Sequence, residues 1–226
     1  SSAASDVYKR QEGAGDLFTL TVESGSTGGF PAYGLSFGAA TNATSVIDHT
    51  YQFDFYDGGG LDITFVGLAQ MDQAGNVNVS RLANRVPGIG GFFNVTQSAD
   101  RVVFCGQFTA GETDIAVEGG KLVIRKDGDV TKFVEAVEQI TFNGGVALAR
   151  GQKVLAVTER AVFAITADGP ELVEIAPGVS LEVDILAKMR FSPAISPNLK
   201  EMERSLFEEG QILSLIHISE PTRLAT

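Results

Sequence analysis

Apolar runs of strand length recur at Leu17–Val22, Leu61–Ala69, Val102–Cys105, Val154–Val157 and Ala161–Ile165. Several are near-continuous rather than alternating, as strands covered on both faces tend to be. Asn76–Ser80 alternates more cleanly and predicts a half-exposed strand. Lys121–Arg125 and Val130–Val134 flank Lys126-Asp127-Gly128-Asp129, whose Asp-Gly step predicts a tight hairpin turn. Toward the end the period lengthens. Leu181, Ile185 and Met189 recur every four residues, behind Ser180 as N-cap, with Glu182 and Asp184 early and Lys188 and Arg190 late. Ser196-Pro197 reads as a second cap, with proline at the first helical position. The pattern is that of a single α/β domain, an open sheet flanked by helices, with hairpin insertions in its middle.

Both ends stand apart from this pattern. Residues 1–11 (SSAASDVYKRQ) and 213–226 (LSLIHISEPTRLAT) resemble translated sequencing adapter. Asp6–Gln11 and Leu213–Ile218 can be encoded by complementary strands of one short DNA sequence. We therefore expect both tails to be foreign to the fold, and 12–212 to be a truncated domain.

Composition narrows the chemistry. The formal charge is −11; the two tails contribute +1 and 0, leaving −12 for 12–212. An acidic chain lacks the Lys/Arg surplus that neutralises phosphates, so neither nucleic acid nor an anionic membrane surface is an expected partner. No apolar run reaches the roughly 18 residues of a membrane span. Cys105 is the one cysteine, and His49 is the one histidine outside the tails. A cysteine metal cluster and a disulfide within the chain are excluded, and no metal site is expected. With no secretory signal in the sequence, the cytoplasm is the expected compartment. Chemistry must run on carboxylates, hydroxyls or backbone.

Glycine makes up 26 of 226 residues, concentrated at Gly28-Gly29, Gly58-Gly59-Gly60 and Gly88-Ile89-Gly90-Gly91. Such clusters at the ends of apolar runs mark loops where backbone approaches a ligand, or simply tight turns. Glu23 closes the first apolar run and is followed by Ser24-Gly25. A glutamate is ionised at neutral pH without help from a base, so it can act as a nucleophile in a chain nearly devoid of histidine. From position alone, a solvated loop carboxylate is the competing interpretation.

The blocks TVESGSTGG, FPAYGLSFGAATN, YQFDFYDGGGLDITFVGLAQMDQAGNVNVSRL, GIGGFFN, VVFCGQFTAG, KFVEAVEQITF and VTERAVF occur in order between Thr21 and Phe163, within a resemblance that runs from about Asp16 to Phe207. Together they resemble the family I CoA-transferases, in particular the acetate/propionate branch and its glutamate-bearing, beta-type half. The resemblance implies that Glu23, in the family's E-S/N-G motif, is the nucleophile. It implies a glutamyl-CoA thioester as covalent intermediate, with coenzyme A as substrate and no permanently bound cofactor. The family's G-x-G-G loop maps onto Gly88, Gly90 and Gly91, expected to stabilise the oxyanion. Ser24, Gly25, Gly28, Gly29, Gly58, Gly59, Gly60 and Asn76 are candidate pocket residues, with Asp57 and Asn78 beside them. Expected partners are acyl-CoA, short carboxylic acids, a missing amino-terminal half or alpha-type subunit, and further copies in a homo-oligomer. The fragment alone is expected to be inactive. Ser26-Thr27 departs from the apolar residues the family has in that loop. A 3-oxoacid CoA-transferase and a non-catalytic CoA-binding or assembly domain are the alternatives.

The remaining polar residues read as structural. Cys105 is expected to be a small buried apolar residue, and His49 a loop residue. Glu159-Arg160 is expected to be a hairpin tip or an ion pair, and Glu138 a structural carboxylate.

Overall fold

The computed structural model describes residues 18–208, apart from 33–35, 37 and 84. The two tails and Leu17 lie outside the described residues. Of the described residues, Phe53–Phe207 form one compact unit, and 18–52 with Glu208 belong to another.

The larger unit is organised by a six-stranded sheet. Its strands are β1 (Ile63–Gly67), β2 (Arg101–Cys105), β3 (Lys153–Val157), β4 (Ala161–Thr166), β5 (Gly169–Ile175) and β6 (Ala194–Glu201). Their order in space is their order in sequence. β1, β2 and β3 run parallel; β3–β4 and β4–β5 are antiparallel; β6 joins β5 in parallel. Four of the five apolar runs thus become sheet strands. Their side chains build the core: Val66, Val102, Phe104, Val154, Ala156 and Phe163 are buried with Leu172 and Met71. Three phenylalanines, Phe108, Phe133 and Phe163, cluster with centroids 4.6 to 6.3 Å apart. Helix α1 (His49–Asp57) precedes the sheet, and α2 (Phe92–Gln97) and α3 (Gly144–Ala149) lie in its crossovers. Phe92, Val95 and Ala147 join α2 and α3 to the core.

Several elements differ from the sequence expectation. Among the described residues of Leu17–Val22, Thr21 makes one isolated bridge to Thr27, and no strand forms. Asn76–Ser80 contributes only Val77–Asn78, and both residues are fully buried. The predicted hairpin shifts one strand back: Lys121–Lys126 pairs antiparallel with Asp114–Glu118. Its turn is Gly119-Gly120, with φ 58 and 74, the two positive values that a tight twisted hairpin requires. Asp127 is instead held by Arg160, while the Gly128 N–H donates to Thr109 Oγ1 at 3.0 Å. Val130–Thr131 then pairs with Thr109–Ala110, and Phe133–Val134 with Gln70–Asp72.

Ser180 does cap a helical segment, accepting from Val183 N–H at 3.3 Å. The coil is a wide π-type turn over Leu181–Ile185 followed by a 3₁₀ turn over Leu186–Lys188. Arg160 takes the Asp184 carbonyl at 3.1 Å, competing for a group that would serve the next helical turn. The predicted face survives: Ile185 and Met189 are buried and Leu181 packs against them. Ser196-Pro197 begins no helix. It lies in β6, an edge strand whose register jumps between Ile195 and Lys200, and an edge with a bulge tolerates a residue lacking N–H. His49 opens α1 rather than lying in a loop. Cys105 is only half-buried.

Candidate functional site

Glu23 occupies the tip of a narrow hairpin. Gly25 N–H donates to the Val22 carbonyl at 2.9 Å, closing a turn whose two central residues are Glu23 and Ser24. Val22 N–H to Ser26 O at 2.8 Å and Gly28 N–H to Leu20 O at 2.7 Å tie the two limbs. The returning limb, Ser26–Thr27, pairs antiparallel with Ser45–Val46. Glu23 is half-buried and Ser24 exposed, its hydroxyl donating to the Gly38 carbonyl. Gly25 cannot carry a side chain: at φ 114 an added Cβ would lie 2.0 Å from the Ile47 carbonyl oxygen. That oxygen belongs to the residue just after the Ser45–Val46 strand, held in place by Ile47 N–H to Gly25 O at 3.0 Å. Gly28 and Gly29 follow in the same loop, near Thr44 and Thr41. The hairpin tip therefore presents a carboxylate on a turn fixed by backbone bonds on both sides.

The Gly88–Gly91 loop belongs to the larger unit and leads into α2, with Gly91 as N-cap. Gly88 (φ 81) and Gly90 (φ 50) hold left-handed backbone, and an added Cβ at either meets nothing within 4 Å. Glycine here serves conformation and access rather than packing. Gly58–Gly60 close the carboxyl end of α1, their amides bonding to Asp54, Tyr56 and Phe55 carbonyls at 2.9 to 3.0 Å. Asp57 reaches α2, accepting from Asn94 at 3.0 and 3.1 Å and from Gln97 at 3.2 Å. Asn76 has both ends of its amide engaged inside the fold, Nδ2 with Asp72 at 3.1 Å and Oδ1 with Gly144 N–H at 3.2 Å. Asn78 is likewise consumed locally, binding Gln70 and Arg81. Ser24, Gly25, Gly28 and Gly29 thus lie with Glu23, Gly58–Gly60 are tied through Asp57 to the helix that follows Gly88–Gly91, and Asn76 lies apart with Asp72 and Gly144.

A further charged cluster surrounds the turns after β2 and β3, at the strand ends where open α/β sheets commonly carry ligands. Arg160 is 0% exposed. It donates to Glu159 at 2.7 Å and to Asp127 at 2.6 Å, and stands 5.0 Å over the Phe108 ring. Glu159 also accepts from Phe108 N–H at 2.8 Å. Burial would raise the Asp127 carboxyl, but hydrogen bonds and charge from Arg160 and Lys188 hold it below its usual range. Burial lowers the Lys132 ammonium, opposed by Glu159, and its Nζ donates to Gln107 O at 2.8 Å. Both expectations for Glu159-Arg160 hold, since the pair is a hairpin tip and an ion pair. The sequence marks its partner Asp127 only as a turn residue, since the ion pair spans 33 residues. Gln52 was also missed; its side-chain nitrogen is buried with no hydrogen-bond partner. Among the described residues no group of three or more metal-ligating side chains is brought together. No helix among them is long and apolar enough to cross a membrane.

The chain is 48% identical over 198 residues to acetate CoA-transferase YdiF of Escherichia coli K12, a match covering 88% of this chain. It is 48% identical over 196 residues to caffeate CoA-transferase of Acetobacterium woodii, covering 84%. The chain spans 37% of the length of each of these relatives. Among solved structures, the acyl-CoA transferase YdiF apoenzyme of E. coli O157:H7 superposes with TM-score 0.86 at 45% identity, covering 91% of this chain and 39% of that one. A YdiF thioester complex with CoA matches with TM-score 0.86 at 44% identity, with the same coverage. Glutaconate coenzyme A-transferase of Acidaminococcus fermentans, at 20% identity and TM-score 0.60, shares the fold. No protein-family profile matches the chain.

Proposed function

We propose that this chain belongs to the family I CoA-transferases, and that the whole protein transfers coenzyme A from a short-chain acyl-CoA to an acceptor carboxylate through Glu23. The observation that carries this reading is a carboxylate at the tip of a glycine-closed turn, in a chain so similar to two such enzymes.

In the proposed cycle the Glu23 carboxylate attacks the thioester carbonyl, and the C–S bond breaks to give an acyl-glutamyl anhydride and CoA thiolate. The thiolate attacks the glutamyl carbonyl, releasing the first carboxylate and leaving a glutamyl-CoA thioester. An incoming carboxylate then attacks that thioester, forming a new anhydride and releasing thiolate again. Attack of the thiolate on the acyl carbon yields the new acyl-CoA and restores Glu23. This is ping-pong covalent catalysis. The thioester bond energy is conserved at every step, so the cycle balances without ATP.

Each addition places negative charge on a former carbonyl oxygen. The amides of Gly90 and Gly91 are the proposed donors, and losing one such donor costs roughly 2.7–4 kcal/mol of transition-state stabilisation. Ser24, Gly25, Gly28 and Gly29 are proposed to hold the carboxylate, and Gly58–Gly60 and Asn76 to shape the surrounding wall. We further propose that turnover needs an additional half of similar fold, fused or as a separate subunit, and that the assembled enzyme is a cytoplasmic homo-oligomer.

The test uses the full-length protein. Incubation with acyl-CoA followed by hydroxylamine should modify Glu23, and Glu23→Ala should abolish both adduct and transfer. Turnover persisting in Glu23→Ala would refute the assignment. An acceptor panel with one acyl-CoA donor separates an acetate-type from a 3-oxoacid enzyme. Absence of any adduct in the assembled complex would favour a non-catalytic binding domain.

A further inference from the structure

We propose that Glu138 is a positioning residue for the Gly88–Gly91 loop, acting through the turn at Ala83. This rests on the reading of that loop as the oxyanion-stabilising element.

The loop from Val79 to Gly91 begins with a polar anchor. Asn78, 0% exposed, accepts at Oδ1 from Ser80 N–H at 3.0 Å and Arg81 N–H at 3.1 Å. Its Nδ2 donates to the Arg81 carbonyl and to Gln70 Oε1. Gln70 passes the connection on, donating from Nε2 to Glu138 Oε1 at 3.0 Å and accepting Glu138 N–H at 3.2 Å. The second Glu138 oxygen accepts Ala83 N–H at 2.7 Å.

Ala83 lies inside a closed turn. Leu82 and Arg85 exchange both backbone hydrogen bonds, each at 2.9 Å. Ala83 is left-handed at φ 48, a conformation alanine disfavours and cannot stabilise with a polar side chain of its own. The outside acceptor that fixes its amide is Glu138. Three residues beyond the turn comes Gly88, and 85–90 are exposed. At the far end Phe92 and Val95 are buried and Asp57 clamps Asn94. The glycine loop is thus strung between two fixed points, and Glu138 holds the upstream one. Displacing the turn moves the upstream anchor from which the chain runs through Gly88 to Gly90, while Gly91 is held from the helix side. Misplacement of about 1 Å far from the chemistry can cost on the order of 100-fold in rate.

The experiment compares Glu138→Ala, Glu138→Gln and Ala83→Gly in the full-length transferase. Glu138→Ala should lower kcat roughly 10- to 100-fold, with KM for acyl-CoA and the melting temperature near their unsubstituted values. Glu138→Gln retains one acceptor oxygen and should fall between. Glycine adopts positive φ without a tether, so adding Ala83→Gly to Glu138→Ala should recover most of the lost kcat. Unchanged kcat in Glu138→Ala would overturn the proposal, as would a lowered melting temperature with no rescue by Ala83→Gly. The unsubstituted enzyme is tested first for a hydroxylamine-trappable adduct. If none forms, the transfer mechanism fails; if it forms equally fast in Glu138→Ala, the positioning role alone fails.

Discussion

Arg160 donates to Asp127 Oδ1 at 2.6 Å, joining a strand hairpin to a loop 33 residues earlier in the chain. Its Nε, Nη2 and Nη1 donate to Glu159, Asp127 and the Asp184 carbonyl respectively. A fully buried guanidinium is tolerated because each charge it meets is paired and hydrogen-bonded. Removing it takes away the guanidinium that bridges Glu159 and Asp127, and leaves Asp127 with Lys188 alone as its ion-pair partner. Arg160→Met should therefore destabilise the fold by about 3–5 kcal/mol, read from urea denaturation. Arg160→Lys should recover only part, since a single ammonium cannot reach all three acceptors.

The same pair sets an acid limit. The Asp127 carboxyl is held below its usual range in the folded state, so unfolded chains bind its proton more tightly. Its stabilising contribution is fully present above the unfolded value, about 3.9. It is lost as pH falls from there through the lower folded value. Stability measured between neutral pH and pH 2 should drop in this window, and Asp127→Asn should flatten that part of the curve while lowering stability at pH 7.

Gly25→Ala tests the hairpin tip. The added methyl would lie 2.0 Å from Ile47 O, and φ 114 is a region alanine avoids. Strain of about 1–3 kcal/mol is expected from backbone alone. The prediction is a lower melting temperature together with loss of the trappable Glu23 adduct. Adduct formation at the unsubstituted rate would show that the tip tolerates reshaping.

Gly90 should behave differently. Space is open around it, and φ 50 is accessible to asparagine more readily than to branched residues. Gly90→Asn should preserve more kcat than Gly90→Val, with circular dichroism unchanged in both. Equal kcat in the two variants would contradict a conformational requirement at this position.

Gln52 offers a stability test. Its buried side-chain nitrogen lacks a partner, and such an orphan costs about 1–3 kcal/mol. Gln52→Met, close in shape and without the donor, should leave stability unchanged or raise it. A clear loss in urea denaturation would contradict that reasoning.

What was legible in the sequence follows burial. Val102–Cys105 announces itself as a continuous apolar run because Val102, Val103 and Phe104 are buried on both faces of a central strand. Val154–Val157 is as continuous in sequence, although Leu155 is exposed on one face. β6 was illegible for the opposite reason: it is an edge strand, mostly exposed, with Pro197 at its irregular part. The hairpin was displaced because Asp127-Gly128 and Gly119-Gly120 both resemble turns, and only tertiary partners decide between them. Ser180 was read correctly as a cap, since that bond is local. The extent of the coil behind it was not, because Arg160 comes from elsewhere in the chain to take the Asp184 carbonyl that a further helical turn would use. Glu23 became a candidate nucleophile through its neighbouring motifs, not through its position. The bond from Ala83 to Glu138 spans 55 residues, and no local pattern encodes it.

The sheet's sequential strand order has a kinetic consequence. Every strand neighbours its predecessor in the chain, and β3, β4 and β5 are joined by short turns at 158–160 and 167–168. Closing short loops costs less entropy than closing the long crossovers that bring β1 and β2 alongside. The three-strand meander is therefore the expected nucleus, with the parallel strands zipping on afterward. During refolding, amide protection should reach Phe163 and Leu172 before it reaches Val66.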